Sequence, residues 1–288
     1  MSFRTIIISN KCKLNYKNNY LVIRNEEYNM IHLSEINIIV IDTQQVSITT
    51  YLITELANRK IKVIFCDDKR NPNCELVSYY GAHNSSKRIN AQIEWDKSTK
   101  SLVWTFIVKR KIELQAQFLE ELNKSENILL KQYIGEIQLA DYTNREGHAA
   151  KVYFNSLFGK EFTRDLDNNI NAALDYGYSI ILSIFNKEIV SRGYLTQLGI
   201  NHKNEFNFFN LSCDMMEPFR ILVDRIVYEM GDVQFDKAYK YKLIDLLNNT
   251  VLIDGKKQYV SNAINIYVKR VLDAIEKKSL YELKMYEL

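Results

Sequence analysis

Apolar residues fall in two different rhythms along this chain. Up to Tyr80 they form short runs rich in Ile, Val and Tyr, separated by Asn, Lys and Glu, at Thr5–Ser9, Lys13–Tyr16, Tyr20–Arg24, Met30–Leu33 and Asn37–Ile41. Runs of this kind read as a meander of short β-strands. Within the same stretch Ile48, Tyr51, Leu52, Glu55 and Leu56 follow a helical spacing over Ser47–Arg59, and further strands are predicted at Lys62–Phe65 and Leu76–Tyr80.

Beyond Gly81 the rhythm becomes helical. His83–Trp95 reads as a polar helix, and helices are predicted near 98–122, 125–138, 144–160, 168–194, 213–230, 235–249 and 259–278. Only Pro72 and Pro218 interrupt the backbone chemistry, so helices can run long. One β-like segment, TVLIDGKKQYV at 250–260, carries the two-residue hairpin signal Asp254-Gly255. The pattern predicts an α+β fold: a small β-rich N-terminal domain over 1–82, a connecting helix over 83–96 and a larger all-helical domain over 97–288.

Composition narrows the classes. With 288 residues, 47% of them hydrophobic, the chain can bury a sizeable core. Its four cysteines show no C-x-x-C pair and no zinc-ribbon spacing, which points away from a disulfide framework and toward a reducing cytoplasm. The apolar run near Met1 is too short for a signal peptide, and no segment is predicted to span a bilayer. The formal net charge is +3; residues 1–82 carry 10 basic and 8 acidic side chains, and residues 83–288 carry 28 and 27. Neither part is a basic coat for nucleic acid, so any such binding has to use local patches.

The chemically unusual stretch is Gly199–Arg225, GINHKNEFNFFNLSCDMMEPFRILVDR. Asp214 and Glu217 are three residues apart, which on a helix places them on one face. Two neighbouring carboxylates repel unless a cation lies between them, and a hard divalent metal is the obvious one. A residue before proline is pushed away from helical angles, so Glu217 is expected at a helix start. Acidic residues at a helix N-terminus are also favoured by the macrodipole alone, so one D-x-x-E decides nothing.

Two further residues widen the choice. Thr143 and Glu146 match a T-x-x-E capping box, which would make Glu146 a helix cap. Yet Glu146 lies four before Ala150, on the side of the apolar stripe Ala150, Tyr153, Leu157 and Phe158, and an ionised group aimed inward needs a partner or a cation. His202 is either an ordinary loop histidine or an imidazole that completes a carboxylate site and shifts its preference from magnesium toward manganese. His148 is rotated roughly 200° from Glu146 at ~100° per residue, and His83 opens a polar helix; neither fits as well.

Taken together, NREGHAAKVYF, LDYGY, GINH and NLSCDMMEPFRILVD, in this order, resemble the CRISPR-associated protein one family, the spacer-acquisition integrases, and most closely its type II branch. The resemblance covers essentially the whole chain. It implies a metal-dependent DNA integrase that joins each 3′-hydroxyl of a foreign duplex to a repeat phosphodiester by transesterification. It further implies Mg2+ or Mn2+ held by Glu146, His202 and Glu217, with Asp214 beside them. Implied partners are duplex DNA, a second copy bound through the N-terminal domain, and a small ferredoxin-like protein, the CRISPR-associated protein two, whose dimer is flanked by two dimers of the chain. Arg145, Lys151, Lys203, Arg220 and Arg225, and more weakly Lys87 and Arg88, become candidates for phosphate contacts. Two other classes stay open: a metal-dependent nuclease acting on branched DNA, and a noncatalytic DNA-binding scaffold whose carboxylates are structural.

Overall fold

The computed structural model describes residues 4–78, 82–281 and 283–287. Its N-terminal part is built on β5 (Ile36–Ile41), whose sequence INIIVI has no alternation and whose residues are all buried except half-buried Asn37. That is how a strand covered on both faces reads. β1 (Arg4–Ile8) and β7 (Lys62–Cys66) run parallel to it on either side, and β8 (Pro72–Glu75) closes the sheet antiparallel to β7. Side chains alternate between faces along a strand. Ile39, Ile41 and Val63 therefore pack with Leu52 and Leu56 of α1 (Thr50–Asn58), while Ile38, Val40, Ile64 and Cys66 enter the core of the helical part.

The expected meander holds only for β2 (Cys12–Lys17), β3 (Tyr20–Arg24) and β4 (Tyr28–His32), which with β6 (Val46–Ile48) form a second sheet in the order β4-β3-β2-β6. β1 and β5 belong to the parallel sheet instead. The last strand is also displaced from its expected place at Leu76–Tyr80. It occupies Pro72–Glu75, with the proline as first residue of an edge strand, where a missing N–H costs least. Leu76, Val77 and Ser78 lie outside any strand, and Tyr79 and Tyr80 fall outside the described residues.

Helices follow from α2 (Ser85–Ile93) onward. The 25-residue α3 (Lys97–Glu121) starts where the Asp96 carboxylate accepts the Thr99 N–H at 2.8 Å. It packs against α4 (Asn127–Glu136), α5 (Arg145–Phe158), α8 (Arg220–Met230) and α10 (Val260–Glu276). α6 (Asn169–Val190) packs against α7 (Asn210–Met216), α8, α9 (Lys237–Asp245) and α10. Between α9 and α10, β9 (Thr250–Ile253) and β10 (Lys256–Tyr259) form the expected hairpin, with positive φ at both Asp254 and Gly255.

The single helix expected over 213–230 is resolved into α7, one 3-10 turn at Glu217–Phe219, and α8. Glu217 keeps helical angles, φ −47° and ψ −47°, so it is the joint between two helices rather than the first residue after a loop. Pro218 fits there because the opening turn of a helical segment does not need its N–H. Among the described residues no helix is long and apolar enough to cross a membrane.

α6 lies tight against α8 and α9 at Gly177. A Cβ there would fall on Cγ1 of Val223 and within 3.3 Å of Cδ2 of Leu243, so only the missing side chain lets these helices meet. Gly177→Ala is expected to cost about 1–3 kcal/mol, the usual range for overpacking a core. Chemical denaturation measures it, and an unchanged midpoint would contradict the packing described.

Candidate active site

Three separate segments meet at one nitrogen. Lys111 lies on α3 at the apolar spacing set by Trp104, Ile107 and Val108, so its side chain runs inward. Its Nζ is 2.6 Å from Oε1 of Glu146, in the first turn of α5, and 2.6 Å from Oε2 of Glu217, at the α7–α8 joint. Arg220, one turn further along, reaches Oε1 of Glu217 at 3.0 Å. Burial works to raise the Glu217 carboxyl, but Arg220 and Lys111 outweigh it and bring it down to about 2. Burial likewise disfavours the Lys111 ammonium, and the two carboxylates more than offset this, leaving it above its ordinary range.

Glu146 is free to do this because it does not cap its helix. The backbone turns left-handed at Ala140, Asp141 and Asn144, with φ of 60°, 53° and 53°, at a cost of order 1 kcal/mol each. This wraps the chain so that the Asp141 carboxylate accepts the N–H groups of Arg145 at 2.8 Å and Glu146 at 2.9 Å, while Asn144 accepts that of Gly147 at 3.3 Å. Thr143 takes no part; its buried hydroxyl has no partner among the described residues. The T-x-x-E capping box is therefore absent, and the inward direction read from the stripe is the one observed.

His202 lies in a loop near enough for the charges of Glu217 and Glu146 to act on it. The wholly buried Asp214 on α7 accepts the N–H groups of Ile200 at 2.6 Å, Asn201 at 2.9 Å and His202 at 3.1 Å, and pairs with Nδ1 of His202 at 2.5 Å. The imidazole stands edge-on to Trp104, with ring centroids 5.7 Å apart. The bond to Asp214 raises its pKa, and Glu217 and Glu146 add to the rise. This loop requires Gly199, where a Cβ would run into the His202 carbonyl oxygen and come within 2.7 Å of Oδ2 of Asp214. Asp214 and Glu217 thus do not share one cation: the first organises the histidine loop and the second meets Lys111 and Arg220.

Behind Arg220 lies a buried support. Its guanidinium carbon is 4.6 Å from the centre of the Tyr178 ring, and the Tyr178 hydroxyl donates to Asp224 at 2.5 Å. The Tyr153 hydroxyl donates to the other oxygen of Asp224 at 3.1 Å. Burial raises the Asp224 carboxyl to about 6. The sequence assigns no role at the site to Lys111, Tyr178 or Asp224, and reads Tyr153 only as part of the buried stripe. The one legible signal was a lysine at a stripe position of α3.

The basic candidates divide into two groups. Lys87, Lys151 and Lys203 are exposed. Arg145 is paired with Glu136 at 3.0 Å, Arg225 with Glu121 at 2.5 Å, Arg88 with Glu276 at 2.5 Å, and Arg220 belongs to the Glu217 cluster. A groove of about 880 Å³ away from this site brings together Arg59 and Lys60 from the end of α1, Lys187 and Arg192 from α6 and the turn after it, and Lys257 from β10. Among the described residues Glu188 is its one acidic lining residue, and the sequence did not reveal this patch, because its members come from distant segments.

No three His, Cys, Asp or Glu side chains stand as a preformed metal-ligand set among the described residues. The donor chemistry nevertheless suits a hard divalent ion: two carboxylates already gathered around one positive charge, and an imidazole whose Nδ1 is held by a carboxylate.

The class of this fold is set by solved structures that share it. A casposase bound to its integration product superposes with a TM-score of 0.78 at 18% identity, over 99% of this chain and 94% of that one. A Cas6-RT-Cas1–Cas2 complex does so with a TM-score of 0.73 at 18% identity, over 99% of this chain and 36% of that one. The family model described as CRISPR associated protein Cas1 matches residues 5–242. The CRISPR-associated endonuclease Cas1 of Neisseria meningitidis serogroup C (strain 8013) is 31% identical over 295 residues, covering 100% of this chain and 97% of that protein. The chain belongs to the Cas1 family.

Removing the shared ammonium should expose the cost of the carboxylates. Lys111→Met is expected to destabilise the fold by about 3 kcal/mol, the lower end for breaking a buried pair, because Arg220 still covers Glu217. Adding Glu146→Gln should restore a large part of that loss. Urea unfolding of the single and double variants measures both, and a single variant as stable as the parent would refute the shared role of Lys111.

Proposed function

We propose that this chain is a DNA integrase of CRISPR spacer acquisition, joining the 3′-hydroxyl ends of a foreign duplex to a repeat phosphodiester. The observation that carries this reading is the meeting of Glu146 and Glu217 on one nitrogen beside His202, in a chain of the Cas1 family. Glu146, Glu217 and Nε2 of His202 would hold a divalent metal, Mg2+ or Mn2+, with the imidazole favouring the latter. When bound, such an ion supplies activation of the attacking hydroxyl and neutralises charge on the phosphoryl oxygens. Asp214 fixes the imidazole by holding Nδ1, and so decides which ring nitrogen faces the site. Lys111 and Arg220 add positive charge where a phosphate would come to lie. No protein nucleophile is needed for direct attack by a hydroxyl.

The division of labour follows the same reading: 1–82 as the dimerisation domain, 83–96 as connecting helix and 97–288 as the catalytic domain. Exposed Tyr28 and Met30 on edge strand β4, with exposed Tyr51 on α1, suit a contact with a second copy. The solved complex that contains both Cas1 and Cas2 supports Cas2 as the small partner; the arrangement of two dimers of the chain flanking one partner dimer is part of the proposal. Because the Neisseria relative is named an endonuclease, a second reading is hydrolysis of branched DNA by the same residues, with water as the attacking group. Product analysis on a labelled duplex, a supercoiled repeat plasmid and branched substrates separates joined strands from cut ones.

Glu146→Ala and Glu217→Ala should fold, dimerise and bind the small partner, yet lose strand joining almost completely. Asp214→Asn replaces one of the two acceptor oxygens by a donor facing the loop N–H groups and should need roughly 10–100-fold more Mn2+ for the same yield. Integration yield against Mn2+ concentration, run beside thermal melts, checks all three; normal joining by Glu146→Ala would defeat the assignment.

Affinity for duplex DNA should come from local patches, given a net charge of only +3. The isolated chain is expected to bind duplex weakly and in a salt-sensitive way. Replacing Lys60 and Lys257 together by Glu should lower affinity on every sequence and reduce the salt slope by about 1 for each phosphate that is no longer neutralised. Fluorescence anisotropy over a salt series reads this, and an unchanged slope would remove the groove from the DNA path.

A further inference from the structure

The segment Leu283–Glu287 lies far from the site in sequence but against it in space. Leu283, Met285 and Tyr286 are all buried. Glu287 pairs antiparallel with Leu252 of β9, its N–H donating to the Leu252 carbonyl at 2.8 Å and its carbonyl accepting from Leu252 at 3.1 Å. The segment is thereby fastened to the hairpin at one end. Tyr286, next to that anchor, faces the joint that carries Glu217. The Tyr286 hydroxyl donates to the Pro218 carbonyl at 2.8 Å, and its ring lies 4.6 Å from that of Phe219.

A second contact links the same residue to α3. The Tyr286 carbonyl accepts from Nη2 of Arg110 at 2.8 Å, and Arg110 immediately precedes Lys111. One residue therefore touches both the helix that presents Lys111 and the turn that presents Glu217. The 3-10 turn at Glu217–Phe219 is short, and such turns have poorer internal hydrogen bonds than an α-helix. The carbonyl of Pro218, the residue after Glu217, is held from outside.

We propose that Leu283–Glu287 is a strap that completes the site and that Tyr286 is a positioning residue for Glu217, fixing the turn against α3. This rests on the reading of Glu217 as a metal ligand. Loss of the Tyr286 hydroxyl frees the Pro218 carbonyl and lets the carboxylate wander relative to Glu146 and His202, while the ring still fills the core against Phe219. Metal affinity should then fall, though the fold remains.

The test is the Mn2+-induced rise in melting temperature of the full chain without DNA, followed over a Mn2+ titration for the parent, Tyr286→Phe and Glu217→Ala. Tyr286→Phe is expected to need about tenfold more Mn2+ for half of the shift, the low end for a group that orients a ligand, and to recover strand joining at high Mn2+. A purely structural role would lower the melting temperature and leave the Mn2+ half-point where it was. A Glu217-dependent shift that Tyr286→Phe leaves unmoved overturns the strap alone. No Glu217-dependent shift in the parent overturns the metal assignment, and the strap with it.

Discussion

The ammonium of Lys111 is the interaction on which the site depends. Three segments that are distant in sequence, α3, the start of α5 and the α7–α8 joint, are brought to one point by two 2.6 Å contacts. Desolvating such groups costs several kcal/mol each, and their attraction repays it only when the geometry is good. The net gain in stability is therefore small, and what the arrangement secures is position. Counted with Arg220, the cluster holds two cations and two carboxylates, and is neutral as it stands. A divalent ion would bring two positive charges into a balanced place, and an approaching phosphate is the natural counterweight. Metal and DNA would then favour each other electrostatically.

Around that point the fold supplies successive supports. Asp141 takes over capping and frees Glu146; Asp214 gathers the loop and aims His202; Tyr178, held by Asp224, lies under Arg220. Each support is itself buried or bonded, so the reactive groups rest on fixed neighbours rather than on solvent-facing loops. The imidazole is the most exposed member of the cluster, its side chain 42% exposed against 29% for Arg220 and 21% for Glu146. Its side is the direction from which a substrate can come.

Much of this was legible from periodicity, and the failures have identifiable causes. The helical part was readable because its apolar stripes are long, and the inward direction of Glu146 was readable from its spacing to Ala150. The parallel pairing of β1 with β5 was not, because short strands of one composition do not reveal their partners. The capping role of Asp141 was hidden by left-handed backbone at Ala140 and Asn144, residues without glycine's freedom. The helix start at Glu217 was readable from Pro218; what the proline did not reveal is that α7 runs straight into it, through a 3-10 turn rather than a loop. Lys111 and Asp224 were missed since a charge inside an apolar stripe acquires meaning only when its distant partner is known.

The N-terminal sheet cannot bury its second face by itself. Ile38 and Val40 on β5, with Ile64 on β7, face the helical core, and the sheet rests on α6, whose Lys187 donates to Asn37 at 2.5 Å and whose Asn186 donates to Glu75 at 3.3 Å. During synthesis these strands emerge roughly a hundred residues or more before α6 is available to cover them. Until then a flat apolar surface with open edges is exposed on the nascent chain, and parallel strands close slowly because their partners are remote. The second face of the sheet is thus completed only when α6 arrives, so the two parts of the fold mature together rather than one after the other.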